Sequence, residues 1–346
     1  KHAPPRCCGN MHIPPNVRWH YTHIFGSLSH SIKTVYLLNL QKTDIMMKLI
    51  FVTLIFFCYS SYYTISQKID NQIFLNQFEN QLAKDVQEDR VGSISSAIIV
   101  NNKLVWSKAF GVADPVNKTY ADTSTLYKIA SVSKTFTVFL MMQMIEAGYF
   151  KLDDPVENFV PEIKKIKGYS DSTKITFRQL ASHTSGLAKG PTLKNATIGP
   201  PEEWENKTIL SIPTTRLISK PGLKYHYSNM GISIIGLAIS RATNQSFTDL
   251  VKEKILIPLN MNNTFYKIPV AEIRRLSKGV NGGRLNKKNI KISDRDRQGR
   301  GYKLPAGGLI TTPNDLSKFI LTLMGKSDNK ILSNESLKLM QTPVTS

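Results

Sequence analysis

Cysteine and histidine are scarce in this chain, and most of them lie near its start. All three cysteines precede residue 59, and five of the seven histidines precede residue 31. The rest of the chain therefore needs no disulfides, offers no thiol nucleophile and holds only His183 and His226 as imidazole ligands. Because zinc sites are built mainly from cysteine and histidine, these absences exclude a cysteine hydrolase and argue against a zinc enzyme. We expect no metal and no cofactor.

Acidic residues are too few to balance the basic ones. Asp and Glu number 25 against 45 Lys and Arg, so the formal net charge is +20. Such an excess can attract nucleic acid or an anionic surface. Much of it lies in residues 274–303, where Tyr302 is the only aromatic residue and the interleaved aromatics of a nucleic-acid site are missing. We interpret this segment as a solvated loop and predict no nucleic-acid partner; weak attraction to an anionic envelope surface is the alternative.

The beginning of the chain has a pattern of its own. Residues 1–45 show no apolar periodicity, whereas the sequence from Met46 has Lys48, an apolar run over Leu49–Tyr59 and then small polar residues. This is the pattern of a secretory signal peptide, and the run is short for a membrane span. We predict a leader over residues 46–67 and an exported protein, periplasmic or secreted. The upstream segment is either not native or a disordered tail.

The remaining residues, 68–346, have the features of one mixed α+β domain. Apolar residues at helical spacing form one face over Leu75, Phe78, Leu82 and Val86. Two β-rich runs then flank Asn101-Asn102, which predicts a hairpin beneath that helix. Later stretches are mainly helical. Thr176 with Gln179 forms a capping-box pattern, and Thr312 has the character of a helix N-cap.

One predicted helix combines a core composition with two reactive side chains. The stretch "YKIASVSKTFTVFLMMQMIEAG", residues 127–148, is apolar on nearly every side but carries Ser131 and Lys134. Such a helix belongs inside a protein, where an unpartnered lysine costs several kcal/mol. Residues three apart share a helix face, so a lysine with a lowered pKa could take the serine proton. Free N–H groups at the helix start could stabilise a developing anion.

The same Ser-x-x-Lys spacing also occurs elsewhere. Ser327 and Lys330 match it in "GKSDNKIL", but this stretch follows a helix end and has no apolar scaffold. We interpret it as a polar loop. The pair on the apolar helix is therefore the candidate for nucleophilic catalysis.

Five stretches of the chain form an ordered set: "IASVSKTFTV", "LDDPV", "ITFRQLASHTSGL", "PGLKYHYSNMGISIIGLAI" and "PAGGLITTPNDLSKF". In this order they resemble the serine β-lactamase and penicillin-binding protein superfamily, in particular its class C β-lactamase, DD-peptidase and esterase-like branch. The resemblance covers roughly residues 70–346. It implies a β-lactamase/transpeptidase-like fold, with an antiparallel sheet flanked by helices and an all-α region. It also implies a serine hydrolase that forms an acyl-serine on β-lactams, D-Ala-D-Ala-type peptides or small esters. The expected partner is a small-molecule or peptidoglycan-derived substrate, and we expect a monomer.

The resemblance also assigns roles. Ser131 matches the nucleophile and Lys134 its partner, while Tyr227 matches a tyrosine that takes part in proton transfer and Asn229 an asparagine that positions the substrate and the lysine. A tyrosine near an ammonium is favoured as phenolate, and an amide can both donate and accept hydrogen bonds. The residues alone also allow a core tyrosine and a turn asparagine. In the family the "HTSGL" stretch is structural, so we expect His183 to be hydrogen-bonded at a helix end.

One family motif has no counterpart. The resemblance implies a late strand carrying Lys-Thr-Gly or His-x-Gly, and no such triplet follows Asn229. We therefore expect a truncated chain, in which the hydrolase domain at 68–346 is incomplete and its C-terminal strands are missing. Two hypotheses stand: an exported serine hydrolase, favoured by the intact first two motifs, and a non-catalytic penicillin-binding, sensor-like or inactive truncated member of the fold.

Overall fold

Two small antiparallel sheets and the helices around them make up the described part of the chain. The computed structural model describes Thr53 and residues 72–88, 92–279 and 299–344. Apart from Thr53, the predicted upstream segment and leader lie outside these ranges, as does the middle of the basic segment, 280–298. Gln72–Ser346 constitute one compact unit. Among the described residues, no helix has the length and hydrophobicity needed to cross a membrane.

The larger sheet is the predicted hairpin with one short strand added. Strands β1 (Ser93–Val100) and β2 (Lys103–Asp114) pair antiparallel from Ser93 opposite Gly111 to Val100 opposite Lys103. Strand β3 (Thr119–Tyr120) pairs with the far end of β2, so the order is β1-β2-β3. Asn101 and Asn102 have φ of 49° and 62°, the left-handed conformation that a two-residue I′ turn requires. The hairpin prediction is confirmed.

The first helix, α1 (residues 72–88), lies on this hairpin, as the sequence predicts. The ring of Phe78 meets Trp106 edge to face at 5.4 Å between centroids, and the Trp106 Nε1–H donates to Glu79 at 2.7 Å. Gly111 is required at the contact, because a Cβ there would lie 2.6 Å from Cγ1 of Val86. The partly buried face of α1 thus packs on β2.

The remaining elements are helices and one two-stranded sheet, and the predicted caps begin two of the helices. The helices are α2 (Ser133–Glu146), α3 (Phe177–Ala181), α4 (Trp204–Ser211), α5 (Asn229–Thr243), α6 (Phe247–Val251), α7 (Leu304–Gly307), α8 (Pro313–Leu323) and α9 (Asn334–Met340). Thr176 and Gln179 form both bonds of the capping box at α3. The Thr312 side chain caps α8 by accepting from the Asp315 N–H. Both capping predictions are confirmed.

Helix α2 is the centre of the helical core. Nine of its side chains are buried, and it packs against α5, α6 and α7. Phe136 stacks on Phe319 of α8 with 3.7 Å between ring centroids, and α8 in turn contacts β1 and β2. A helix buried on all sides is what the composition of α2 predicts.

The second sheet brings distant parts of the sequence to the candidate site. Strand β4 (Tyr127–Lys128) pairs antiparallel with β5 (Ile310–Thr311), with Lys128 opposite Ile310. The Ile129 N–H adds a further bond to the carbonyl of Leu309 at 3.1 Å. The chain just before Ser131 is therefore fixed to the residues that follow the "PAGG" stretch.

Candidate active site

Ser131 lies in a tight turn that leads into α2, not in the first α-helical turn that the sequence suggests. Ala130–Val132 form a 3₁₀ turn, and Ala130 adopts φ +44°, which is uncommon for a residue with a Cβ. The buried Ser133 hydroxyl holds this turn by donating to the Ala130 carbonyl at 2.7 Å and accepting from the Leu309 N–H at 3.1 Å. As a result the Ser131 side chain is exposed while the turn beneath it is fixed.

Lys134 is buried, and its ammonium has hydrogen-bond partners. The residue is 7% exposed, and Nζ donates to Ser131 Oγ at 3.2 Å and to the Ala306 carbonyl at 2.7 Å. Burial lowers the pKa of Lys134, interaction with Tyr227 raises it in part, and the charge of Arg300 lowers it further. The net pKa lies below the ordinary lysine value, so Lys134 loses its proton more readily than an exposed lysine does.

Residues 305–309, which we call the α7 segment, enclose the turn from the other side. Lys134 donates to the Ala306 carbonyl, and Thr137, about one turn later in α2, donates through its hydroxyl to the Pro305 carbonyl at 2.7 Å. Leu309 adds two more bonds: its carbonyl accepts from the Ile129 N–H, and its N–H donates to the Ser133 hydroxyl. In all of these bonds the α7 segment contributes only backbone groups. The sequence contains "PAGGL" and "SVSK", but it predicts no role for Ala306 or Ser133. A backbone carbonyl has no sequence signature, whereas a second serine two residues after Ser131 is visible in the sequence.

Tyr227 completes a three-residue cluster. Its hydroxyl donates to Ser131 Oγ at 2.9 Å, and the Lys134 ammonium lies 4.9 Å from the centre of its ring. Burial opposes ionisation of the phenol, but the bonds with Lys134 and Ser131 and the charges of Lys134 and Lys189 outweigh it. The pKa of Tyr227 is therefore lowered, in the direction that favours phenolate.

Asn229 lies two residues further on, at the start of α5. The Ser228 hydroxyl caps this helix by accepting from the Gly231 N–H at 3.1 Å, and it donates to the Ala188 carbonyl at 2.8 Å. Asn229 is 8% exposed, and its N–H donates to the Lys189 carbonyl at 3.0 Å. Since α5 packs against α2, this capped helix start delivers the Tyr-Ser-Asn stretch to Ser131.

The other candidates lie where the sequence interpretation expects them. His183 follows the end of α3 and accepts a hydrogen bond from the Ser228 N–H through Nδ1, at 3.3 Å. Ser327 and Lys330 lie in the loop between α8 and α9. A separate cavity of about 830 Å³, lined in part by Trp204, contains none of the predicted site residues. The chemically competent arrangement is thus the cluster around Ser131.

An exposed serine is thus hydrogen-bonded to a buried lysine and to a tyrosine within an α+β fold. The family model described as Beta-lactamase matches residues 78–346. The chain belongs to this family, within the serine β-lactamase and penicillin-binding protein superfamily.

Several known proteins are similar to this chain in sequence or in fold. Beta-lactamase-like protein 2 of Dictyostelium discoideum is 27% identical over 76% of this chain and 48% of its own length. An octameric penicillin-binding protein homologue from Pyrococcus abyssi has a TM-score of 0.63 at 26% identity, over 78% of this chain and 60% of that one. A β-lactamase/D-alanine carboxypeptidase from Yersinia pestis gives 0.60 at 26% identity, over 79% and 74%. The chain spans about half the length of the curated relatives it matches first.

We predict that Ser133→Ala destabilises the fold even though the side chain is small. It leaves the buried Leu309 N–H without its partner, which costs about 1–3 kcal/mol, and it removes one of the two hydrogen bonds that the Ala130 carbonyl accepts from Ser133. The free energy of unfolding, measured in urea, should fall by about 2 kcal/mol. Ser327→Ala is the matched control, because it removes the same hydroxyl from a loop serine that makes no side-chain hydrogen bond among the described residues, and the expected change is within about 0.5 kcal/mol. Equal stability of the two variants would contradict the proposed role of Ser133.

Proposed function

We propose that the protein is a serine hydrolase in which Ser131 forms an acyl intermediate with its substrate. The single observation that supports this most directly is the pair of hydrogen bonds on Ser131 Oγ, from Lys134 Nζ at 3.2 Å and from the Tyr227 hydroxyl at 2.9 Å. A serine hydroxyl is a weak nucleophile until a neighbouring base takes its proton. Both candidate bases are already within hydrogen-bond distance of the oxygen.

The lowered pKa values of the two neighbours support a proton route. When both neighbours donate to Ser131 Oγ, neither can accept its proton, so the reactive state requires that one of them has lost its own. Burial lowers the pKa of Lys134, and the nearby ammonium helps to lower that of Tyr227. Tyr227 as phenolate, stabilised by the Lys134 ammonium, would accept the proton directly; neutral Lys134 could do the same.

The proposed reaction consumes only the substrate and one water molecule. Ser131 Oγ forms a bond to the substrate carbonyl carbon as its proton passes to Tyr227 or Lys134. The bond from that carbon to the leaving nitrogen or oxygen then breaks, and the proton moves to the leaving group. Water then attacks the acyl carbon as its proton passes to the same base, the bond from that carbon to Ser131 Oγ breaks, and the proton moves from the base to Oγ. Asn229 is proposed to position the substrate.

For the substrate we propose an acyl donor of small-molecule or peptidoglycan-derived type: a β-lactam, a D-Ala-D-Ala-type peptide or a small ester. The name of the Yersinia pestis neighbour joins the first two classes, which supports treating them together. The alternative is a non-catalytic binding or sensor protein of the same fold. Covalent capture of a β-lactam distinguishes the alternatives, because a non-covalent binder leaves no adduct.

We predict that fluorescent penicillin labels the protein on Ser131. Peptide mass mapping should find the adduct in the 131–134 region of wild type and none in Ser131→Ala. Lys134→Ala should retain the nucleophile but acylate on the order of 10²–10⁴ more slowly, because an activating base has been removed.

Two outcomes would contradict this assignment. Undiminished labelling of Ser131→Ala would place the nucleophile elsewhere, for example in the Ser327 loop. Absence of any adduct in wild type with penicillin and with an activated ester, in a protein that unfolds cooperatively, would favour the non-catalytic alternative.

We predict that Tyr227→Phe keeps the fold and loses most of the acylation rate. The ring still lies against Lys134, but the hydroxyl that bonds Ser131 is gone, so the rate should fall on the order of 10²–10⁴ with an unchanged melting temperature. Tyr225→Phe is the matched control: it removes the same atom from an exposed neighbouring tyrosine and should leave the rate unchanged. Full activity of Tyr227→Phe would show that the phenol transfers no proton.

Export is proposed from the sequence pattern of residues 46–67. We predict that the mature protein, secreted by its own host, begins between Ser60 and Lys68. N-terminal sequencing of the secreted protein measures this directly. A mature N-terminus upstream of Met46 would refute both the leader and the interpretation of residues 1–45.

A further inference from the structure

We propose that His183 is a positioning residue for Tyr227, acting through a hydrogen bond that its Nδ1 accepts from the Ser228 N–H. This inference rests on the proposed function, because it gives His183 a part in placing a group that acts on Ser131. It differs from the structural role expected from the sequence, which assigns His183 no link to catalysis.

The chain on both sides of Tyr227 is bound to His183. The His226 N–H donates to the His183 carbonyl at 2.7 Å, and the Ser228 N–H donates to Nδ1 at 3.3 Å. The rings of His183 and Tyr227 lie 4.6 Å apart between centroids, tilted by 46°. One residue thus fixes both peptide neighbours of Tyr227 and one face of its ring. From this bound stretch the phenol extends to Ser131 Oγ, at 2.9 Å.

This arrangement requires an unprotonated Nδ1. Burial, with the charge of Lys134, lowers the pKa of His183 to about 4 from an ordinary value near 6.5. Lys134 is the charged group that acts on the imidazole, and the phenols of Tyr225 and Tyr227 pack against it. At neutral pH the ring is neutral and can accept. As the pH falls through about 4, the ring gains a proton, Nδ1 becomes a donor and the bond to Ser228 is lost.

The backbone of His183 supplies matched variants. Its φ is +61°, a conformation that glycine and asparagine adopt readily and alanine does not. His183→Asn keeps this backbone and places an acceptor oxygen on Cγ, where histidine carries Nδ1. His183→Gly keeps the backbone but removes the acceptor. The two variants therefore separate the hydrogen bond from backbone strain.

The experiment uses the full chain and two measurements. The acylation rate with fluorescent penicillin reports on catalysis. The titration of Tyr227, followed by NMR of protein labelled with ¹³Cζ-tyrosine and assigned with Tyr227→Phe, reports on the position of the phenol without catalysis. If wild type takes no label from penicillin or from an activated ester, the proposed function fails, and the titration alone still tests the role of His183.

We expect His183→Gly to slow acylation on the order of 10²-fold, as misplacement of a reacting group does. In the same variant the pKa of Tyr227 should return toward the ordinary value of about 10, because the phenol no longer lies beside Lys134 and Ser131. His183→Asn should recover most of both. Asn244→Gly is the control, since it introduces glycine at another left-handed position, with φ of +53° at the far end of α5, and it should change neither.

Three outcomes would overturn the proposal. The first is that His183→Gly changes neither the acylation rate nor the Tyr227 titration. The second is that the rate and titration of His183→Asn lie no closer to wild type than those of His183→Gly. The third needs no glycine variant and applies if that variant fails to fold. In wild type, acidification should shift the Tyr227 resonance with a midpoint near pH 4, and His183→Asn should lack this transition. A wild-type resonance unaffected by acid would show that the bond does not hold the phenol.

Discussion

The buried ammonium of Lys134 is the constraint on which the rest of the site depends. A lysine in the wall of an apolar helix is costly unless its charge finds partners. Here those partners are the Ser131 hydroxyl, the Ala306 carbonyl and the ring of Tyr227. Each comes from a different part of the chain, so the charge is stabilised only once α2, α5 and α7 have packed together.

The same constraint links structure to reactivity. The burial that makes Lys134 costly also lowers its pKa, and its proximity helps to lower the pKa of Tyr227. The Lys134 charge also helps to hold His183 in its neutral form. The buried charge of Lys134 thus lowers the pKa of two neighbouring titratable groups. Clusters of titratable groups with perturbed pKa values are typical of catalytic sites. In this protein two of these groups, Lys134 and Tyr227, donate hydrogen bonds to the same exposed serine oxygen, Ser131 Oγ.

The site is built from the ends and turns of helices, whose backbone groups are still available for bonding. Ser131 lies in the turn before α2, Tyr227 just before the Ser228 cap of α5, and Ala306 near the end of α7. The apolar middles of α2 and α5 supply the rigid packing, while their polar ends carry the reactive groups. This division explains how a helix buried on all sides can directly follow an exposed serine.

Local pattern was enough to predict much of this protein, and tertiary packing decided the rest. The hairpin at Asn101-Asn102, the cap at Thr312 and the apolar helix α2 follow from short-range rules, because each depends on neighbours in sequence. Resemblance added Tyr227 and Asn229 as candidates, but no local rule places a tyrosine against a serine so distant in the chain. Three hydrogen bonds exist only in the folded chain: from Lys134 to the Ala306 carbonyl, from the Leu309 N–H to the Ser133 hydroxyl, and from the Ser228 N–H to His183. The physical reason is that a backbone carbonyl or N–H is the same at every residue, so sequence cannot say which one a buried side chain will meet.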